Sequence, residues 1–264
     1  MNYQTGLRLK ILRLLGVNGF TTQLAGWGIY VVVTIMSACA ALLITGYQGS
    51  VREDGLLVTG NPLNFPFNLA VMATGIYLSL AALIATARER ESGTMEVLFY
   101  GPVDPLSYMA GKLLENLLSL GLMLAAYLGV FFILGWVSHF GCFTFPVHRI
   151  MLACVYAAAL IATGICVAAL LNSVRTAVLT LSGVWLGFAA LQWGKPLVPE
   201  GIGATLLAMG AQFSPFYRFE QGLRSLANSD GVAYLIALGA LMGWTLLTLS
   251  GAVAILARKG VKMR

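Results

Sequence analysis

The chain has 264 residues, 59% hydrophobic and only 10% charged, with a mean hydropathy of +0.84. Soluble domains carry about 25% charged residues, so the composition excludes a soluble globule, and its hydrophobicity excludes an isolated disordered chain. The formal charge is +6, but no basic patch lies among aromatic residues in a polar stretch, so the excess points to residues flanking membrane spans and not to nucleic acid.

In chain order, residues 5–16 alternate Arg8, Lys10 and Arg13 with Leu and Ile, which predicts a short helix lying in the membrane interface. Six charge-poor runs follow, each near the ~20 residues that cross the hydrocarbon as a helix. They are expected at about 24–46, 67–87, 106–137, 150–171, 176–193 and 232–257. The apolar part of the third starts at Asn116, within a longer helix that begins near Pro105. The period-two alternation of a membrane barrel is absent. The expected fold is therefore an all-α polytopic membrane protein, one domain over 1–264, with no room for a separate catalytic domain.

Two polar segments interrupt the spans. Between the second and third, Arg88–Lys112 contains Ser92 and Thr94 as candidate caps, Glu96 in a first turn, Gly101-Pro102 as a stop, and Asp104-Pro105 as a new start. This predicts a two-turn helix on the cytoplasmic face with Met95, Val97, Leu98 and Phe99 exposed beside charge. Such a helix is too short to be stable alone, so it docks against something. Between the fifth and sixth spans, 195–230 forms an external helical segment. Its charge-free part, Gly201–Gln212, is too short to cross and suggests a re-entrant helix. Ser214-Pro215 restarts a helix in which Glu220 and Arg224 form an i,i+4 pair and the aromatic residues suit the outer interface.

The hearts of the six runs hold no Asp, Glu, Lys or Arg, which argues against proton or sodium coupling. No phosphate loop is present, since Leu106 stands where its first Gly would be and Leu113 follows Gly111-Lys112; the chain is expected not to be an enzyme. Cys39, Cys154 and Cys166 lie in apolar runs and Cys142 in a short loop, with no C-x-x-C and no His at metal spacing. No metal or other cofactor is expected. Met36-Ser37-Ala38-Cys39 loosely resembles a lipoprotein box, but the apolar run continues past it to Ile44.

Glu89-Arg90-Glu91-Ser92-Gly93-Thr94-Met95-Glu96-Val97-Leu98, followed by Pro102 and Gly111-Lys112, resembles the cytoplasmic segment of ABC-2 type transporter permeases. Ser214-Pro215-Phe216-Tyr217-Arg218-Phe219-Glu220 with Gly222 resembles the stretch before their last span, closest to the gliding-motility and NosY-type subgroup. The resemblance implies one half of a transmembrane dimer, paired with a second copy or a related permease and resting on a separate ATPase subunit. The helix carrying Arg8, Lys10 and Arg13 would be the interfacial connecting helix. Glu89, Arg90, Glu91, Ser92, Gly93, Thr94, Met95, Glu96, Leu98 and Phe99 would form the ATPase-coupling segment. The expected location is the inner membrane, among its lipids, and the expected activity is export. A force-transmitting complex acting on an external partner, or a membrane scaffold without an ATPase, are the other readings.

With both termini in the cytoplasm, eleven basic residues lie inside and five outside. Single cysteines placed at Gly55 and Ser229 should therefore label from outside in intact cells. One at Ser92 should label only after permeabilisation; external labelling of that position would overturn the topology.

Overall fold

The computed structural model describes residues 2–54, 63–100, 103–138, 147–193, 205 and 209–259; for residues 2–9, 11, 49–54, 96, 193 and 259 it describes the backbone alone. Among the described residues there are helices and no strands. Six helices are long and apolar enough to cross a membrane. We number the helices α1 (Asn2–Ala25), α2 (Gly28–Asp54), α3 (Asn64–Glu91), α4 (Thr94–Tyr100), α5 (Pro105–Val137), α6 (Val147–Leu170), α7 (Val174–Trp193), α8 (Pro215–Ala227) and α9 (Gly231–Lys259).

The spans fall where hydropathy places them, with one correction at the start. The helix expected over 5–16 runs to Ala25, and the first span begins at Gly28 instead of residue 24. The stretch Asn18-Gly19-Phe20-Thr21-Thr22-Gln23 is polar enough to stay out of a span, and it lies along α5. Gly16 and Gly19 allow that approach: a Cβ on Gly19 would come within 2.1 Å of a Glu115 carboxylate oxygen, and one on Gly16 within 2.9 Å of Leu114. Lys10 and Arg13 are exposed, and the side chain of Arg8 lies outside the described residues.

The most enclosed span is α6, two-thirds buried (67%), against 17% for α2 and for α7. It packs against α3, α5, α7, α8 and α9. Small residues make this possible: Ala153, Ala157, Ala159, Ala162, Ala168 and Ala169 are all buried. At Gly164 the two backbones nearly touch, since a Cβ there would sit 2.3 Å from the carbonyl oxygen of Ser79 in α3. The outward faces of α2, α7 and α9 carry exposed Leu, Ile and Val residues such as Leu42, Leu186 and Leu246, as hydrocarbon solvent permits.

At the other end of the bundle from α4, α8 starts as expected, with Ser214 at the N-cap and Pro215 in the first turn. Arg224 and Glu220 form the expected pair at 2.5 Å, and Gln192 donates to the other Glu220 oxygen at 2.5 Å. Two of its three aromatic residues turn inward instead, while Tyr217 stays half-exposed. Phe219 stacks on the buried Tyr156 at 4.3 Å and Phe216 meets Trp185 edge-on at 5.6 Å. The apolar side of this helix turns into the bundle because Gly222 lets Leu152 of α6 approach. Asp230 caps α9, accepting from the backbone N–H groups of Val232 and Ala233 at 3.1 Å each. Most of the expected re-entrant stretch Gly201–Gln212 lies outside the described residues, as does Cys142.

Gly164→Ala should force α3 and α6 apart and lower stability by about 1–3 kcal/mol, read as a fall in the melting temperature in detergent. Gly183→Ala, where a Cβ meets nothing within 4 Å, should leave it unchanged or raise it by up to about 1 kcal/mol.

Candidate functional site

The segment singled out by its motif forms a sharp double turn. The end of α3 is marked by Ser92, whose N–H bonds back to Arg88 O at 2.9 Å, and by Gly93, whose φ of +72° suits a residue without a Cβ. Helix α4 follows at once with seven residues. Ser92 and Thr94 bond to each other through their hydroxyls at 2.5 Å. Helix α5 then starts at Asp104-Pro105, and Asp104 Oδ1 accepts from the Ser107 hydroxyl at 2.5 Å. Gly101 and Pro102, the expected stop, lie outside the described residues, as does the Glu96 side chain.

The four apolar residues of α4 expected to be exposed divide. Met95 is buried, Leu98 and Phe99 are half-buried, and Val97 is 70% exposed. Tyr100 is 64% exposed. Met95 turns inward because a helix this short needs an anchor of its own; Phe99 adds one by meeting Tyr108 of α5 edge-on at 5.8 Å. The surface that α4 presents is therefore Val97 and Tyr100, beside exposed Arg88, Glu91, Ser92 and Thr94.

The charged run before α4 has partners within the chain. Glu89 accepts from Lys112 Nζ at 2.6 Å through one oxygen and from the Tyr108 hydroxyl at 2.5 Å through the other. Arg90 Nη1 donates to the carbonyls of Ala169 at 2.7 Å and Leu171 at 3.1 Å, which places a cation on the C-terminus of α6. Glu91 accepts from the Val174 N–H at 2.8 Å and so places an anion on the N-terminus of α7. Ser173 completes that cap by accepting from the Thr176 N–H at 3.2 Å.

Ionisable residues also sit on α5 just ahead of the apolar stretch that begins at Asn116. Helix α5 carries Lys112 and the buried Glu115 in its first three turns. At 33 residues it is about 50 Å long, well over the ~30 Å of hydrocarbon, so this part lies near one end of the span. Lys112 Nζ also reaches Glu115 Oε2 at 3.2 Å. Glu115 Oε1 accepts from Gln23 Nε2 of α1 at 2.9 Å, the same amide reaches Asn116 Oδ1 at 3.1 Å, and Ser119 donates to Gln23 Oε1 at 2.5 Å. Sequence reasoning passed over Tyr108, Glu115, Asn116, Ser119 and Gln23. A signal existed, because 108, 112, 115, 116 and 119 form one polar stripe at helical spacing on an otherwise apolar helix. Among the described residues no group of His, Cys, Asp and Glu is placed to hold a metal ion, and Cys39, Cys154 and Cys166 are free thiols.

Arg90→Ala should cost about 1–3 kcal/mol by stripping two carbonyls of a charged donor, and should expose the 171–173 link to protease. Arg90→Lys, which presents no planar fork, should fall between. Protection of that link equal to wild type in Arg90→Ala would remove the clamp.

A family model for ABC-2 family transporter proteins matches residues 61–254, about three-quarters of the chain and all the helices from α3 to most of α9. No curated protein matches the sequence significantly. With six apolar helices of spanning length and that match, the chain is a multi-pass membrane protein and belongs to the ABC-2 family of transporter permeases.

Proposed function

We propose that this permease is one half of an exporter driven by a separate ATPase subunit that docks on α4, with the chain paired to a second copy or a related permease in the inner membrane and both termini cytoplasmic. The observation that carries the reading is α4 itself. A seven-residue helix is held between two spans by Met95, Leu98 and Phe99, while Val97 and Tyr100 stand exposed. Burying such side chains against a partner is worth about 1.5–3 kcal/mol each. The coupling segment Glu89–Phe99 then has two jobs. Glu89, Arg90 and Glu91 fix the end of α3, from which α4 departs, to α5, α6 and α7, and Ser92, Thr94 and the outer face of α4 meet the ATPase. The chain has no phosphate loop of its own, so hydrolysis falls to the partner. The likeness of Ser214–Glu220 to the gliding-motility and NosY-type permeases supports placing the chain in that subgroup.

Purified alone, the chain should turn over ATP at background. Recovered from native membranes, it should bring an ATPase with it. Val97→Asp and Tyr100→Asp should each weaken that recovery by about 1–2 kcal/mol, or roughly five- to thirtyfold in affinity, without lowering insertion. Full recovery of the ATPase by both variants would rule out α4 as the docking site.

A further inference from the structure

The polar cluster of Glu89, Lys112, Glu115 and Gln23 joins helices from three parts of the chain, and the charge run of the coupling segment does not account for it. All four carboxylate oxygens in it have donors. Lys112 serves one oxygen of each glutamate, Tyr108 the second oxygen of Glu89, and Gln23 the second of Glu115. The two anions exceed the one cation, and the neutral donors on Tyr108 and Gln23 supply the balance. The side chains of Lys112 and Glu115 are 13% and 5% exposed. A buried ammonium between two carboxylates is stable only with its partners in place, because withdrawing one leaves an uncompensated charge. The elements that hold the partners therefore move together. Helix α4 enters the cluster through Phe99 on Tyr108. Helix α1 enters through Gln23 and through Gly19, whose missing side chain makes room for the Glu115 carboxylate. A small cleft beside the cluster is lined by Leu15 of α1 and Leu98 of α4, with Lys112 on its wall.

We propose that Lys112 is a positioning residue that ties the end of α3, and with it the start of α4, to α1, through Glu89 on one side and Glu115–Gln23 on the other, with Phe99 on Tyr108 holding α4 to the same cluster, so that a displacement of α4 by the ATPase is delivered to α1 and the head of α5 as one body. The use of this lock rests on the docking role of α4; the lock itself does not.

Two measurements separate them. In the chain alone, spin labels at Arg13 of α1 and Val97 of α4 should give one narrow distance distribution. Lys112→Met should broaden it, Lys112→Arg should keep it narrow, and the exchange Glu89→Lys with Lys112→Glu should keep it narrower than Lys112→Met. Gln23→Leu should loosen α1 alone, guarding against a variant that merely misfolds. A distribution in Lys112→Met as narrow as wild type would overturn the proposal. In the chain co-purified with its ATPase, Lys112→Met should retain the subunit but lose roughly fivefold or more of the hydrolysis the permease stimulates, with recovery in Lys112→Arg. Broadened distances with unchanged stimulation would overturn the transmission role. Absence of an ATPase from the wild-type preparation would sink the docking reading and leave the distance result standing.

Discussion

One ammonium group organises the end of the bundle that carries α4. Lys112 lies between Glu89 of α3 and Glu115 of its own helix, mostly removed from solvent. Taking charges out of water costs several kcal/mol per ion unless geometry and further hydrogen bonds compensate. Here that compensation fixes the surroundings. The end of α3 must reach the third turn of α5, Tyr108 must point at Glu89, and α1 must bring Gln23 to Glu115. The glycines of α1 follow from that demand, since an ordinary side chain at residue 19 would occupy the position of the carboxylate.

Three successive residues at the end of α3 serve three different neighbours. On a helix of 3.6 residues per turn, adjacent side chains leave the axis about 100° apart. Glu89 therefore reaches α5, Arg90 the last carbonyls of α6, and Glu91 the first N–H of α7. Alternating sign matches these targets: a cation at a C-terminus and an anion at an N-terminus both suit the helix dipole. The order of charges in Glu89-Arg90-Glu91 has a structural cause before it has any role toward a partner.

Much of this fold was legible in the sequence because lipid-facing helices must be apolar along their length. The runs expected at 67–87, 106–137, 150–171, 176–193 and 232–257 all lie inside α3, α5, α6, α7 and α9 apart from a residue at the edge of α6. The break at 92–93 and the starts at Pro105 and Pro215 were legible because Gly and Pro act through backbone geometry. The course of α1 was not legible. Hydropathy cannot tell a polar stretch entering a bilayer from one packed on a neighbouring helix, and Gly16 and Gly19 show their purpose only beside Leu114 and Glu115. The inward turn of Met95, Phe216 and Phe219 was missed for a related reason. Amphipathic patterning shows that a helix has an apolar face; it does not say whether bilayer, partner or bundle covers it.

The contact at Gly164 has a mechanical consequence. Helices α3 and α6 approach closely there, where the Ser79 carbonyl fills the space a side chain would take. They are also bolted at both ends, by the hydrogen bond from Arg149 to Asn64 at one and by Arg90 on Ala169 and Leu171 at the other. A pair of rods pinned at three points along its length resists bending and sliding alike. Helices α3 and α6 thus form a stiff spar running from one end of the bundle to the other. The thinly enclosed α2 and α7 pack against this spar, and of the six spans they have the least enclosed surface to give up in any displacement relative to it.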